Sequence, residues 1–285
     1  MHAEHSPPPA DTPGGPASLL RGDVALSYRV DGHGLRPLVL VHGVGSEGRA
    51  WAGVVARLSD AFRILSFDLR GHGQSSRQPS LTNGRYEIDD FGGDVLALAD
   101  HVGFTRFDLA GFSLGGLVAQ RIALSAPERL HRLVLLSTVA GRTADERARV
   151  AARLTALQSG ERGSHYDASL SRWLTEDFQQ RHPALITALR ARNAQNDPVC
   201  YAAAYRVLAE TDFGDALAGI GVPTLIATGA DDLGSNPRMA AFMHSRIAGS
   251  RLEILPGLRH SILMEAPELV AGLMRDFLVT AEPSP

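Results

Sequence analysis

Short runs of apolar residues alternate with segments of helical spacing over most of the chain. The runs suit strands that are buried in a sheet, and the spaced segments suit helices that cover it. The predicted strands are residues 38–41, 62–69, 106–112, 133–137, 223–228 and 251–255, with a pair of short strands within 19–30. The predicted helices are residues 51–58, 88–102, 115–125 and 267–279. This alternation predicts an α/β fold with a mostly parallel central sheet and helices on both faces.

The alternation stops between residues 140 and 216. This segment has no apolar run suited to a buried strand, and its many arginines are balanced by acidic residues, which is typical of solvated helices. Strand-like runs resume at residue 223. We therefore predict a core made of residues 18–139 and 217–285, with a helical lid at residues 140–216 over one end of the sheet.

The first 17 residues are rich in proline, glycine and small polar residues. They contain no apolar run of the kind that a secretory signal needs, so we expect a disordered arm at residues 1–17. No later segment approaches the roughly 20 apolar residues of a membrane-spanning helix. The sequence therefore predicts a cytoplasmic protein with no membrane partner.

Composition excludes several kinds of chemistry. The net charge is −3, with 28 basic and 31 acidic residues, so the sequence shows no basic surface for nucleic acid. The single cysteine, Cys200, excludes an intramolecular disulfide and a multi-cysteine metal site. All 28 basic residues are arginine, which excludes a Schiff-base lysine and a phosphate-binding loop that ends in lysine.

The segment Gly111-Phe112-Ser113-Leu114-Gly115 lies between a predicted strand and a predicted helix. A Gly-x-Ser-x-Gly motif in this context is typical of a sharp turn that presents a nucleophilic serine. The turn strains the backbone of Ser113, so the residues two before and two after it must lack bulk. Ser113 is the predicted nucleophile.

A serine nucleophile needs a base and a carboxylate that orients it. Asp231 and Asp232 follow the predicted strand 223–228, and His260 follows the strand 251–255. Both positions lie at carboxyl ends of strands, where open α/β sheets bind ligands. We predict His260 as the base, and we favour Asp232 over Asp231 because it lies further into the loop.

Acyl transfer also needs N–H donors for the developing oxyanion. We predict the backbone amides of Leu114, next to Ser113, and of Val44, in the loop after the strand 38–41. That loop also contains an alternative, because residues 43–48 read Gly-x-Gly-x-x-Gly and Asp68 ends the next strand, as in a dinucleotide-binding site. Two observations argue against a nicotinamide cofactor. An additional strand pair precedes this loop, and a dinucleotide site would leave the set of Ser113, Asp232 and His260 without an explanation.

Together these motifs resemble those of the α/β-hydrolase superfamily over roughly residues 19–279. The resemblance rests on His42-Gly43, on residues 68–75, on the turn around Ser113, on residues 229–232 and on His260. It implies an α/β-hydrolase fold with Ser113, Asp232 and His260 as catalytic residues. No metal or organic cofactor is expected for this chemistry.

Within the superfamily, the lid residues 172–178, and Asn196-Asp197-Pro198 followed by Tyr201, are similar to 3-oxoadipate enol-lactonases. The resemblance implies a hydrolase for a small-molecule ester or lactone. Arg172 either pairs with the carboxylate of an enol-lactone or is a surface arginine of the charge-balanced lid. Trp173 either forms a wall of the pocket or anchors the lid. Alternatives of the same fold are a carbon–carbon bond hydrolase, a perhydrolase and a ligand receptor. The oligomeric state stays open.

Overall fold

The computed structural model describes residues 16–77, 85–159 and 169–279. Most of the predicted N-terminal arm, residues 1–15, lies outside the described residues. The prediction that the arm extends to residue 17 is wrong, because Ala17 begins the first strand and pairs with Tyr28 of the second. Among the described residues, no helix is long and apolar enough to cross a membrane.

An eight-stranded sheet forms the centre of the molecule, in the order β1-β2-β4-β3-β5-β6-β7-β8. The first three strands in this order pair antiparallel, and the remaining pairs are parallel. The strands are β1 Ala17–Arg21, β2 Val24–Asp31, β3 Arg36–Val41, β4 Phe62–Phe67, β5 Phe107–Phe112, β6 Leu130–Leu136, β7 Thr224–Gly229 and β8 Arg251–Leu255. The α/β fold that the sequence predicts is confirmed.

Helices cover both faces of the sheet, because the central strands bury both sets of alternating side chains. In β3, Leu38 and Leu40 pack in one core and Val39 and Val41 in the other. The helices are α1 Ala52–Leu58, α2 Ile88–His101, α3 Leu114–Ser125, α4 Ala144–Gln158, α5 Glu176–Arg181, α6 Pro183–Asn193, α7 Pro198–Glu210, α8 Pro237–Arg246, α9 Ile262–Glu265 and α10 Pro267–Val279. Helices α1 and α10 share one core, and α2, α3 and α8 share the other.

The predicted strand 62–69 ends two residues early, at Phe67. Asp68 instead uses its carboxylate to accept hydrogen bonds from the amides of Gly48 and Gln74. These bonds turn the chain away from the sheet. Helix α8 was not predicted, although Asn236 caps it through the amide of Met239 and Pro237 occupies its first turn.

The segment between β6 and β7 is helical in its described part, as the sequence predicts. Helix α4 packs on α7 through Val150, Leu154 and Leu157, which contact the stacked rings of Tyr201 and Tyr205. The domain boundaries at residues 140 and 216 stay a prediction. What the sheet shows is that β3, β5, β7 and β8 run parallel, so the loops that follow them lie at one edge.

Candidate active site

Ser113 lies between the end of β5 and the start of α3, with φ 55° and ψ −115°. A positive φ is a strained conformation for a residue with a β-carbon. Close packing maintains the turn: a β-carbon at Gly111 would lie 2.1 Å from the carbonyl oxygen of Gly115, and one at Gly115 would lie 2.2 Å from that of Val41. The two glycines are therefore required by space, as the motif predicts.

His260 and Asp232 are joined by a hydrogen bond of 2.7 Å from Nδ1 to Oδ2. Oδ1 of Asp232 accepts from the amides of Gly234 and Ser235, at 2.8 and 3.0 Å. Burial opposes the charge on Asp232, but His260 and the two amides outweigh it and lower the pKa of this carboxyl. A proton on Nδ1 leaves Nε2 of a neutral His260 with a free lone pair, which is the form of a base.

Asp231 has a different environment from Asp232. The side chain of Asp231 is exposed, and its backbone amide donates to the carbonyl of Leu258. Asp232 is 3% exposed and is the carboxylate in contact with His260. The geometry therefore supports the choice of Asp232 as the orienting acid.

Ser113, Asp232 and His260 line one cavity of about 160 Å³. Ser113 is 7% exposed, so little of its surface is open to solvent. Val44, Arg172 and Trp173 line the same cavity. The structure therefore brings together the side chains that the sequence predicts for the site. Leu114 enters the prediction only through its backbone amide, and its side chain is buried in the core.

The loop that contains Val44 is held by His42. The amide of Leu69 donates to Nε2 of His42 at 2.9 Å, which leaves Nδ1 to donate to the carbonyl of Gly43 at 2.8 Å. Burial and the nearby His72 ring lower the pKa of His42 well below its usual value. His42 is therefore neutral, and its two hydrogen bonds fix the peptide between Gly43 and Val44. The Leu114 amide, the other predicted donor, belongs to the first residue of α3.

The two lid residues have contacts of their own. Arg172 donates from Nη2 to the hydroxyl of Ser169 at 2.6 Å, and burial together with the charge of Arg153 lowers its pKa. The carbonyl of Trp173 accepts from the amide of Ser261 at 2.9 Å. Trp173 thus lines the cavity and also ties the lid to the turn that follows His260, so both predicted roles fit the structure.

The dinucleotide alternative does not fit the structure. The carboxylate of Asp68 holds two backbone amides at 2.7 and 2.8 Å instead of facing a ribose. Gly45 lies under the lid, where an added β-carbon would meet the ring of Tyr201 at 2.4 Å. Gly45 therefore allows close packing of the lid helix α7.

Sequence analysis missed several polar residues of the lid that line the cavity. They are Arg142, Glu146, Arg149, Arg153, Arg192, Tyr201 and Tyr205. The available signal was the spacing of Glu146, Val150, Arg153 and Leu157, which repeats every three to four residues and places them on one side of α4.

Glu146 fastens α4 to the core beside Asp232. Its carboxylate accepts hydrogen bonds from Arg238, from the side-chain amide of Asn236 and from the backbone amide of Thr143. Although burial favours the neutral acid, these bonds lower the pKa of Glu146 to about 2. Because the pKa of Glu146 is lowered on folding, its ionised carboxylate contributes to the free energy of unfolding. This contribution is fully present above about pH 4.5 and is lost as the pH falls through about 2.

Replacing Glu146 with glutamine is therefore expected to lower the free energy of unfolding by about 1–3 kcal/mol at pH 7. Glutamine has one acceptor oxygen and cannot serve all three donors. Urea unfolding of Glu146→Gln beside Asp145→Asn measures this, because Asp145 is an exposed residue of the same helical turn. Equal effects of the two substitutions would show that Glu146 contributes no specific contact.

The fold and the arrangement of these side chains define the class of protein. A family model described as the alpha/beta hydrolase fold matches residues 36–267, and the chain belongs to this family. The similarity of the chain to known hydrolases identifies it as a hydrolase. The relatives include enol-lactonases, which confirms the resemblance that the motifs indicated.

Particular relatives are similar over nearly the whole chain. The chain is 31% identical over 252 residues to 3-oxoadipate enol-lactonase 2 of Acinetobacter baylyi, covering 88% of this chain and 92% of that protein. It is 30% identical over 238 residues to a pimeloyl-acyl carrier protein methyl ester esterase of Nitrosomonas europaea, covering 81% and 91%. The crystal structure of the enol-lactonase from Burkholderia xenovorans has a TM-score of 0.85 at 30% identity, covering 93% of this chain and 100% of that chain.

Proposed function

We propose that this protein hydrolyses a carboxylic ester or lactone through an acyl-enzyme on Ser113. The observation that carries the proposal is the His260–Asp232 hydrogen bond of 2.7 Å at the wall of the cavity that Ser113 lines. This arrangement supplies a nucleophile, a base and an orienting carboxylate in one site.

The proposed reaction has two steps. Nε2 of His260 takes the proton of Ser113 as Oγ attacks the carbonyl carbon, and the amides of Val44 and Leu114 stabilise the oxyanion. The bond to the leaving oxygen then breaks, and that oxygen receives the proton from His260. In the second step His260 takes a proton from water as the water oxygen attacks the acyl-enzyme. The bond to Oγ then breaks, His260 returns the proton to Ser113, and the acid is released.

An enol-lactone is the favoured substrate. The similarity to two enol-lactonases over about nine-tenths of the chain supports this choice, and the relative that acts on a methyl ester supports the broader class of ester. The site suits a compact substrate, because the cavity holds only about 160 Å³. Arg172 and Trp173, which line it, are the proposed substrate-binding residues of the lid.

Purified protein is expected to hydrolyse 3-oxoadipate enol-lactone with sustained turnover. The measurement is the loss of the ultraviolet absorbance of the lactone, run beside the Ser113→Ala variant as a blank. Rapid loss with the wild-type protein alone would establish the lactonase activity. Absence of loss, with hydrolysis of simple esters that still needs Ser113, would restrict the proposal to an esterase.

A further inference from the structure

The cavity wall is strongly basic. Five arginines line it, namely Arg142, Arg149, Arg153, Arg172 and Arg192. Its two carboxylates are Glu146, which is held by Arg238, and Asp232, which is held by His260. The charge of Glu146 acts on Arg142, but the five arginines outnumber the two carboxylates. The cavity therefore has an excess of positive charge toward any bound molecule.

Most of these arginines have partners within the protein. Arg142 donates to the carbonyls of Thr211 and Leu208, at 2.8 and 2.6 Å. Arg192 donates to the carbonyl of Gly45 at 3.0 Å. Arg172 donates to Ser169, as described above. Such bonds give each side chain a structural role in holding the lid together.

Arg153 differs from them. Its side chain is half-buried, and it forms no hydrogen bond or ion pair with any residue that the structure describes. Its Nε lies buried without a partner, as does that of Arg192, and burial followed by the charge of Arg153 lowers the pKa of Arg172. A guanidinium that lies among other cations, with no acidic partner among the described residues, is destabilising.

Arg153 lies on the side of α4 that packs on α7 through apolar residues. The buried residues Val150, Leu154 and Leu157 form the side of α4 that packs on α7. Arg153 lies three residues after Val150 and four before Leu157, so it shares this side, where an apolar residue would pack without cost. Arg149, one turn earlier, lines the cavity rim but is exposed.

We infer that Arg153 binds a carboxylate of the substrate, on the side of the molecule away from the ester or lactone carbonyl, with Arg172 beside it. The inference rests on the proposed function and assigns a residue to the carboxylate that the favoured enol-lactone carries. A carboxylate fits the fork of a guanidinium, and in a half-buried cavity such a bond is strong. The carboxylate of the bound substrate pairs with Arg153, which has no hydrogen-bond or ion-pair partner among the described residues.

Two esters with acyl chains of the same five carbons test the inference: the mono-para-nitrophenyl ester of glutaric acid and para-nitrophenyl valerate, in which a methyl group replaces the carboxylate. We expect the wild-type protein to prefer the glutarate ester. Arg153→Met should lower kcat/KM for that ester roughly 10- to 100-fold and leave the valerate ester unchanged. Arg153→Lys should restore part of the loss. Arg147→Met is the matched control, because Arg147 is an exposed arginine of the same helix that does not line the cavity, and it should change the ratio of the two esters little.

Stability supplies a readout that does not depend on turnover. Arg153→Met is expected to raise Tm, because methionine keeps the apolar stem and removes the unpaired charge. Glutarate should raise the Tm of the wild-type protein and not that of Arg153→Met. An equal loss on both esters, or equal stabilisation of both proteins by glutarate, would overturn the inference. If neither the two esters nor the enol-lactone is hydrolysed, the proposed function fails, while the glutarate shift still decides whether Arg153 binds an acid.

Discussion

Replacing Ser113 with alanine is expected to reduce kcat/KM for the lactone or ester by about 10⁴–10⁶-fold, the range for loss of a serine nucleophile. The variant lacks the oxygen that forms the acyl-enzyme. The fold should persist, because alanine has the same β-carbon as serine at φ 55° and is smaller. Initial rates and thermal unfolding, measured on the same preparations, check both halves of the prediction.

Ser137→Ala is the matched control for this substitution. Ser137 is a second buried serine with a positive φ, 43°, and it does not line the cavity. The Ser137→Ala variant should therefore retain activity, although it loses the same hydroxyl group from a similar backbone conformation. Wild-type rates in Ser113→Ala, or an equal loss in both variants, would contradict the role proposed for Ser113.

Asp232→Asn is expected to lower kcat by about 10³–10⁴-fold with little change in KM. The asparagine oxygen can still accept from Gly234 and Ser235, so the loop should keep its shape. Its amide nitrogen, however, would face Nδ1 of His260. Nδ1 must then accept a hydrogen bond, which places the proton on Nε2 and removes the base from Ser113.

Asp231→Asn makes the same chemical change one residue earlier and should leave the rate within a few-fold of wild type. Its side chain is exposed, whereas Asp232 is 3% exposed and contacts His260. The ratio of the two effects on kcat identifies the orienting carboxylate. A larger loss in Asp231→Asn would assign that role to Asp231 instead.

The core and the central part of the site could be predicted because local sequence rules determine them. Apolar runs such as residues 38–41 are long enough for a strand, and parallel strands place the loops that follow them at one edge. The glycines around Ser113 are required by contacts of about 2 Å that any β-carbon would make. These rules predict that Ser113, Asp232 and His260 approach one another, and in the structure all three line one cavity.

The lid could not be predicted to the same depth. Helical spacing shows that Glu146, Val150 and Arg153 share a side of α4, but the packing of other helices decides what that side faces. Glu146 is fixed by Asn236 and Arg238, about 90 residues away in the chain. The basic cavity wall is likewise assembled from separate segments, while the sequence itself shows only an even balance of charges between residues 140 and 216.

The most direct test of the central claim is the mass of the enzyme during turnover. Wild-type protein is mixed with a para-nitrophenyl ester, quenched in acid within the first turnovers and digested for peptide mass spectrometry. We predict an increase equal to the acyl group on the peptide that contains Ser113, and none in Ser113→Ala. Rapid hydrolysis by the wild-type protein with the acyl group on another residue would contradict the account.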